Sequence, residues 1–233
     1  LPIAISDVVA FVQSALAERA DPEKAEGMQA YMKTDMLFYG VQKPGRTQIL
    51  RRIKREYAPQ THHEYVTLAT ALWELPHREE KYLAQGVATM FAEFIVPDSM
   101  PLYVRFIREG AWWDFVDETA THMIRELVLD YPEETWPTVD LWNDDEDMWL
   151  RRVSIICQIG AKERTDADRL FRFCRARMHE KEFFIRKAIG WALREYAKTD
   201  ARAVADFVAI HREELSGLSF REATKHIGHL VKK

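Results

Sequence analysis

The sequence predicts an all-α fold built as a solenoid of stacked helix pairs, and three observations carry that prediction. Apolar residues recur at helical spacing along nearly the whole 233-residue chain. No run combines β-branched residues, strict alternation and hairpin turns into a strand. Aromatic residues also recur at a fixed period, with Trp113, Trp149, Phe184 and Phe220 spaced 36, 35 and 36 residues apart. The flanks agree: Trp149-Leu150-Arg151-Arg152-Val153-Ser154-Ile155 aligns with Phe184-Ile185-Arg186-Lys187-Ala188-Ile189-Gly190 and with Phe220-Arg221-Glu222-Ala223-Thr224. A period of this length stacks paired helices around a continuous interior and offers a concave face built from each second helix. One domain over residues 1–233 is expected.

The elements follow in order. Ile5 to Ala17 reads as an amphipathic helix, with Val8, Val9, Phe11, Val12, Ala15 and Leu16 apolar. Asp21-Pro22-Glu23 supplies the cap and first turn of a helix running through Tyr31 and Met32. The period then breaks over Leu37 to Pro44, which predicts a short loop. Thr47 to Tyr57 predicts a helix with Arg51, Arg52, Lys54 and Arg55 on a basic face. From Glu64 onward, helices alternate with breaks expected near Pro76, Pro97, Pro101, Gly110, Pro132, Pro137, Gly160 and Asp200. A helix over Phe183 to Lys198 carries Trp191 with Arg186, Lys187, Arg194 and Lys198.

A hydrophobic content of 47% with 30% charged residues describes a soluble globular protein. Apolar runs such as Val87 to Phe94 fall far short of the roughly 20 residues that span a bilayer, so no membrane partner is expected. The start at Leu1-Pro2, without a methionine, is consistent with trimming of an upstream segment, and no signal peptide is expected within these residues, which show no basic stretch followed by an apolar one. Cys157 and Cys174, without CxxC spacing, point to a reducing compartment, the cytoplasm, and to core positions. The net charge of −4 is unevenly spread. Eight acids lie between Asp130 and Asp147 with no Lys or Arg among them, and setting these aside leaves the remainder at +4. A basic groove is therefore compatible with the total, and the acidic run is expected to be a solvated loop and helix end.

Much familiar catalytic chemistry is missing. There is no GxSxG elbow, phosphate loop, GxGxxG fingerprint or HExxH pair. His226 and His229 have ligand-like spacing but no evident further ligands, so no metal site and no cofactor are expected. What remains is carboxylate, tryptophan and arginine. In Ala111-Trp112-Trp113-Asp114-Phe115-Val116-Asp117, helical geometry would set Trp113 and Asp117 four residues apart on one face. A ring face beside a carboxylate receives positive charge; core packing and helix capping are the bland alternatives. The repeat register puts Trp113, Arg152 and Lys187 at related positions, where they could converge on one surface. Interleaved aromatics and cations there suit a polyanion with flat bases.

Longer stretches resemble the DNA alkylation repair family (AlkD-like DNA glycosylases). The matching stretches are Trp112-Trp113-Asp114-x-Val116-Asp117, Trp149-Leu150-x-Arg152 and Phe183-Phe184-Ile185-x-Lys187-Ala188-Ile189-Gly190-Trp191-x-Leu193-Arg194-Glu195-Tyr196. Further matches are Pro22 to Ala25, Tyr31-Met32-Lys33, Leu37-Phe38-x-Gly40-Val41-Gln42-x-Pro44 and Leu72-Trp73-x-Leu75-Pro76-x-Arg78-Glu79. The chain departs from the family at Pro44-Gly45-Arg46-Thr47, where two consecutive arginines are usual. The resemblance implies a superhelix of HEAT-like repeats whose concave, basic face holds duplex DNA containing alkylated purines. It implies a monomer that hydrolyses the N-glycosidic bond of N3-methyladenine and N7-methylguanine. Asp117, Trp113 and Trp191 would form the catalytic cluster with Arg152 beside it. Tyr31 and Gln42 would lie near the lesion's base pair, and Arg46, Arg186, Lys187 and Arg194 would hold DNA. A repeat scaffold that binds DNA or protein without catalysis is the competing reading.

Overall fold

Helical periodicity becomes helix throughout the computed structural model, which describes residues 3–231; the Leu1-Pro2 start lies outside them. In chain order the helices are α1 (Ile5–Ala17), α2 (Pro22–Met32), α3 (Lys43–Glu56), α4 (His62–Trp73), α5 (Arg78–Met90), α6 (Met100–Gly110) and α7 (Trp113–Glu118). They continue as α8 (Arg125–Asp130), α9 (Pro132–Trp142), α10 (Met148–Ile156), α11 (Ala167–Arg177), α12 (Phe183–Tyr196), α13 (Ala201–Ile210) and α14 (Gly217–Ala223). Three short 3₁₀ turns lie in two gaps, two between α5 and α6 and one between α10 and α11, and a π turn over Thr119–Ile124 joins α7 to α8. Among the described residues the only β feature is an isolated bridge between Leu37 and His77. None of the described helices is long and apolar enough to cross a membrane.

The chain divides into two compact units, one ending at Leu102 and the other beginning at Tyr103. In the first, α4 packs on α5, and α1 and α3 close over them. Its core includes Val8, Val12, Leu16, Ile49, Ile53, Leu68 and Leu72. Two glutamates are fully buried there on α5, and each has its charge answered by hydrogen bonds. Glu79 accepts from the backbone N–H of Tyr39 (3.1 Å), Gly40 (2.8 Å) and Val41 (2.9 Å). Glu80 accepts from the His77 N–H at 2.7 Å and from the Tyr39 hydroxyl at 3.1 Å. Burial, then the Glu80 charge, push the Tyr39 phenol up to about 12. Gly40 stands at φ +88°, and a Cβ there would lie 2.1 Å from the Asp21 carbonyl oxygen, so only glycine fits.

In the second unit the order alternates. α7, α10, α12 and α14 form one layer, each packed on the next. α9, α11 and α13 back α10, α12 and α14 respectively. The periodic aromatics lie within this layer: Trp113 opens α7, Trp149 and Phe184 stand second in α10 and α12, and Phe220 falls inside α14. Cys157 and Cys174 are buried, and burial raises both thiols, Cys157 to about 12.

Three local expectations are corrected. α3 starts at Lys43 rather than Thr47, because Pro44 occupies the first turn, where its missing N–H has no helical partner to lose. The break expected near Pro101 does fall there, where α6 begins at Met100. Pro137 lies inside α9 instead of ending it; the Glu133 carbonyl it leaves without a donor is on an exposed turn, where water can replace the bond. The acidic run does form helix ends and a loop, with Asp130, Glu133, Glu134, Asp144 and Glu146 exposed, but several of its acids are paired. Asp130 pairs with Arg164, Asp140 with Arg169 and Arg172, Asp144 with Arg177, and Asp145 with Arg108. Asp147 caps α10 at the Trp149 N–H. Four of the eight acids thus face arginines, so the run cannot be set aside whole to leave an unopposed basic remainder.

Candidate functional site

Local sequence explains how α7 presents its residues. α6 ends at Gly110, and Ala111 takes a left-handed φ of 39°, which turns the chain sharply into Trp112. Trp112 precedes the helix, and its half-buried ring packs against Trp149 and Phe184 at centroid distances of 6.2 and 5.5 Å. Trp113, one residue on, lines a pocket of about 280 Å³ together with Asp117. The π turn begins two residues later, and Thr121 Oγ1 donates to the Asp117 carbonyl at 2.7 Å. Such turns widen the helix and are frequent beside functional residues.

Arg152, on α10, reaches Asp117 in a bidentate pair: Nε donates to Oδ1 and Nη2 to Oδ2, both at 2.7 Å. Its Nη1 donates to the Phe184 carbonyl at 2.5 Å. The pair is secluded, with 5% of the arginine and 17% of the aspartate side chain exposed. Burial raises the Asp117 carboxyl above the usual aspartate range, while the hydrogen bonds and charge of Arg152 pull the other way. Two planar forks fix the carboxylate plane. A carboxylate has about four acceptor positions, so two remain on Asp117 for a water and for a developing positive charge.

α12 supplies the opposite wall with Phe183, Phe184, Lys187, Trp191 and Arg194. α14 adds a residue not anticipated as functional. Glu222 Oε1 accepts from Lys187 Nζ at 2.9 Å, and Oε2 pairs with Arg194. The Lys187 hydrogen bond, with the charges of both cations, holds its carboxyl below the usual glutamate range. Gly190 makes room for this approach: a Cβ there would lie 2.5 Å from Glu222 Cβ. A signal for Glu222 did exist in the sequence. The pairs Asp117–Arg152 and Lys187–Glu222 each span 35 residues, the same period as the aromatics.

Of the expected site residues in the second unit, Trp113, Asp117, Arg152, Lys187, Trp191 and Arg194 therefore surround one pocket. Arg186 does not line it; its carbonyl accepts from Ser219 Oγ at 2.9 Å, and its Nε is buried without a protein partner. In the first unit, Tyr31, Gln42 and Arg46 share a separate cleft of about 370 Å³ with Met28, Phe38 and Tyr82. Tyr31 is 72% exposed there. Gln42 stands at the N-cap position of α3 without a side-chain cap bond, just past the loop that Glu79 braces. Arg46 donates to the Val41 carbonyl at 2.8 Å and lies 4.5 Å over the Tyr82 ring. No group of three or more potential metal ligands occurs among the described residues.

With this geometry in view, two comparisons bear on identity. The sequence pattern of the DNA alkylation repair enzyme family matches residues 12–227. A solved structure described as a predicted DNA alkylation repair enzyme from Enterococcus faecalis is similar to this chain with a TM-score of 0.81 and 29% identity. The match covers 89% of this chain and 96% of that one. No match was found among curated proteins.

Proposed function

This chain belongs to the DNA alkylation repair enzyme family, and on that premise we propose that it is a DNA glycosylase acting on cationic alkylpurines, N3-methyladenine and N7-methylguanine, in duplex DNA. The observation that carries the reading is a secluded carboxylate, Asp117, oriented by Arg152 in a pocket also lined by Trp113 and Trp191. Residues 1–233 would work as one repeat domain without a cofactor.

The pocket's chemistry matches such a substrate. An alkylated purine already carries positive charge and departs as a neutral base, so no general acid is needed at the leaving group. The demand that remains is at the sugar, where the transition state gains oxocarbenium character and a water must attack. Opposite charges about 4 Å apart at an effective dielectric of about 20 attract by about 4 kcal/mol. Felt only in the transition state, this is worth roughly three orders of magnitude in rate. Arg152 offsets part of that field and in exchange holds Asp117 ionised and aligned. The free acceptor positions on Asp117 hold the water, and the ring faces of Trp113 and Trp191 contact the cationic nucleotide and exclude bulk solvent. Lys187 and Arg194 serve the backbone. Tyr31, Gln42 and Arg46 contact DNA from the first unit's cleft, and Arg186 does so from the start of α12.

Asp117→Asn tests the proposal. Release of free N7-methylguanine from methylated duplex should fall about a thousandfold under single-turnover conditions. Duplex affinity should hold or rise, because neutralising the carboxylate leaves the Arg152 charge uncancelled. Wild-type protein that frees no base, or an Asn variant as active as wild type, would refute it.

A further inference from the structure

The proposed chemistry makes no use of Glu222, yet this side chain dominates one wall of the pocket. Three cations line the cavity, Arg152, Lys187 and Arg194, and each is bound to a carboxylate. Arg152 serves Asp117. The other two converge on Glu222, one at each oxygen. Two oxygens of one anion gripped by a lysine and an arginine reproduce how those side chains hold a phosphate. The contact is built rather than incidental. Gly190 leaves space where any side chain would strike Glu222, and the Ser219 hydroxyl, one turn earlier on α14, donates to the Arg186 carbonyl at 2.9 Å. α14 is thereby tied to α12 by this hydrogen bond as well as by the ion pair.

We propose that Glu222 is an affinity-setting residue that stands in for a DNA phosphate, occupying Lys187 and Arg194 in the free protein so that a backbone phosphate must displace it before those cations grip the duplex. The inference rests on the reading of this pocket as a DNA site. An undamaged duplex offers the pocket phosphates alone, and so must displace Glu222 with no further gain. A cationic lesion adds its attraction to Asp117 and the two indoles, which offsets the displacement. The displacement cost falls on both duplexes alike, so Glu222 lowers occupancy of the large excess of normal DNA, and the lesion's added attraction is what overcomes that cost.

Undamaged duplex and a salt series on the full chain test this without any base release. Each phosphate contact contributes about 0.9 to the slope of log affinity against log salt. Glu222→Gln keeps the side chain's shape and removes its charge; it should bind undamaged duplex about tenfold more tightly, with a slope steeper by up to about 2. Glu222→Ala should do the same, and thermal melting of both variants checks that they fold. If wild type binds duplex and both folded variants bind with the same or lower affinity and an unchanged slope, Glu222 is a structural clasp and this inference fails alone. If wild type and variants all fail to bind duplex, the DNA reading of the pocket fails with it.

Discussion

Asp117 and Glu222 flank the same pocket, each joined to a cation 35 residues away along the chain, yet their charges are tuned in opposite directions. At the Asp117 end one guanidinium faces one carboxylate in a secluded setting, and burial outweighs the pair's attraction, so the acid is weaker than an ordinary aspartate. At the Glu222 end two cations face one carboxylate, and their combined pull makes it a stronger acid. The difference separates two uses of a buried charge. A carboxylate whose ionised form is held at a cost gains from any further positive charge that approaches it, such as a cationic nucleotide. A carboxylate already saturated with cations gains nothing from another, and what it governs is the availability of those cations.

Breaking the Asp117 end should have the larger consequence for folding. Arg152→Ala leaves a secluded aspartate without its partner, and loss of one member of such a pair costs about 3–5 kcal/mol. For a chain of this size that lowers the melting temperature on the order of 10 °C, measurable by calorimetry near neutral pH. A variant that melts with wild type would mean that Asp117 is hydrated, and the contrast between the two ends would collapse. Breaking the Glu222 end by geometry should cost less. Gly190→Ala inserts a methyl group against Glu222 and should destabilise by about 1–3 kcal/mol, as overpacking does. Because α14 is pushed outward, that variant should also bind undamaged duplex more tightly, though less so than Glu222→Gln.

The pH profile gives the smallest and most discriminating signal. Asp117 must be ionised to act, and its folded-state carboxyl titrates above the ordinary value of about 3.9. Single-turnover base release should therefore fall off on the acid side at a pH above that value, and Asp117→Asn should lack this limb. For stability the signs oppose each other. A raised folded value means that Asp117 favours folding less as pH climbs from its unfolded value through its folded one. Glu222, with a depressed folded value, contributes stability that is present above its unfolded value and lost as pH falls through the folded one. The stability gap between wild type and Glu222→Gln should accordingly shrink in acid.

Local patterns were the legible part of this molecule. α1 runs over the residues its apolar spacing predicts, and Asp21 caps α2 by accepting from the Lys24 N–H. The i, i+4 relation of Trp113 and Asp117 needs only a helix, and the aromatic period identified the layer on which the pocket is built. Proline misled where it was read as a breaker at two places, because Pro44 lies in a first turn and Pro137 leaves a carbonyl that water can reach. Arg186 shares a helix with Lys187 and Arg194 but not their face of it, a distinction of about 100° that charge counting does not make. Glu222 went unassigned because its significance lies in partners 35 and 28 residues away, and no window of local sequence holds all three. The charge sum over the acidic run misled for the same reason, since Asp130, Asp140, Asp144 and Asp145 were counted without the arginines that face them.

The buried Glu79 has a consequence for the first unit's cleft. Three successive N–H groups of the loop before Gln42 are held by one carboxylate inside the core, not by solvent. The conformational entropy of that loop is therefore surrendered when the chain folds, and none remains to be lost when Gln42 and its neighbours meet a ligand. Contact with the cleft should then be fast and nearly rigid-body, and the Gly40 and Val41 amides should exchange with solvent only when the unit itself opens.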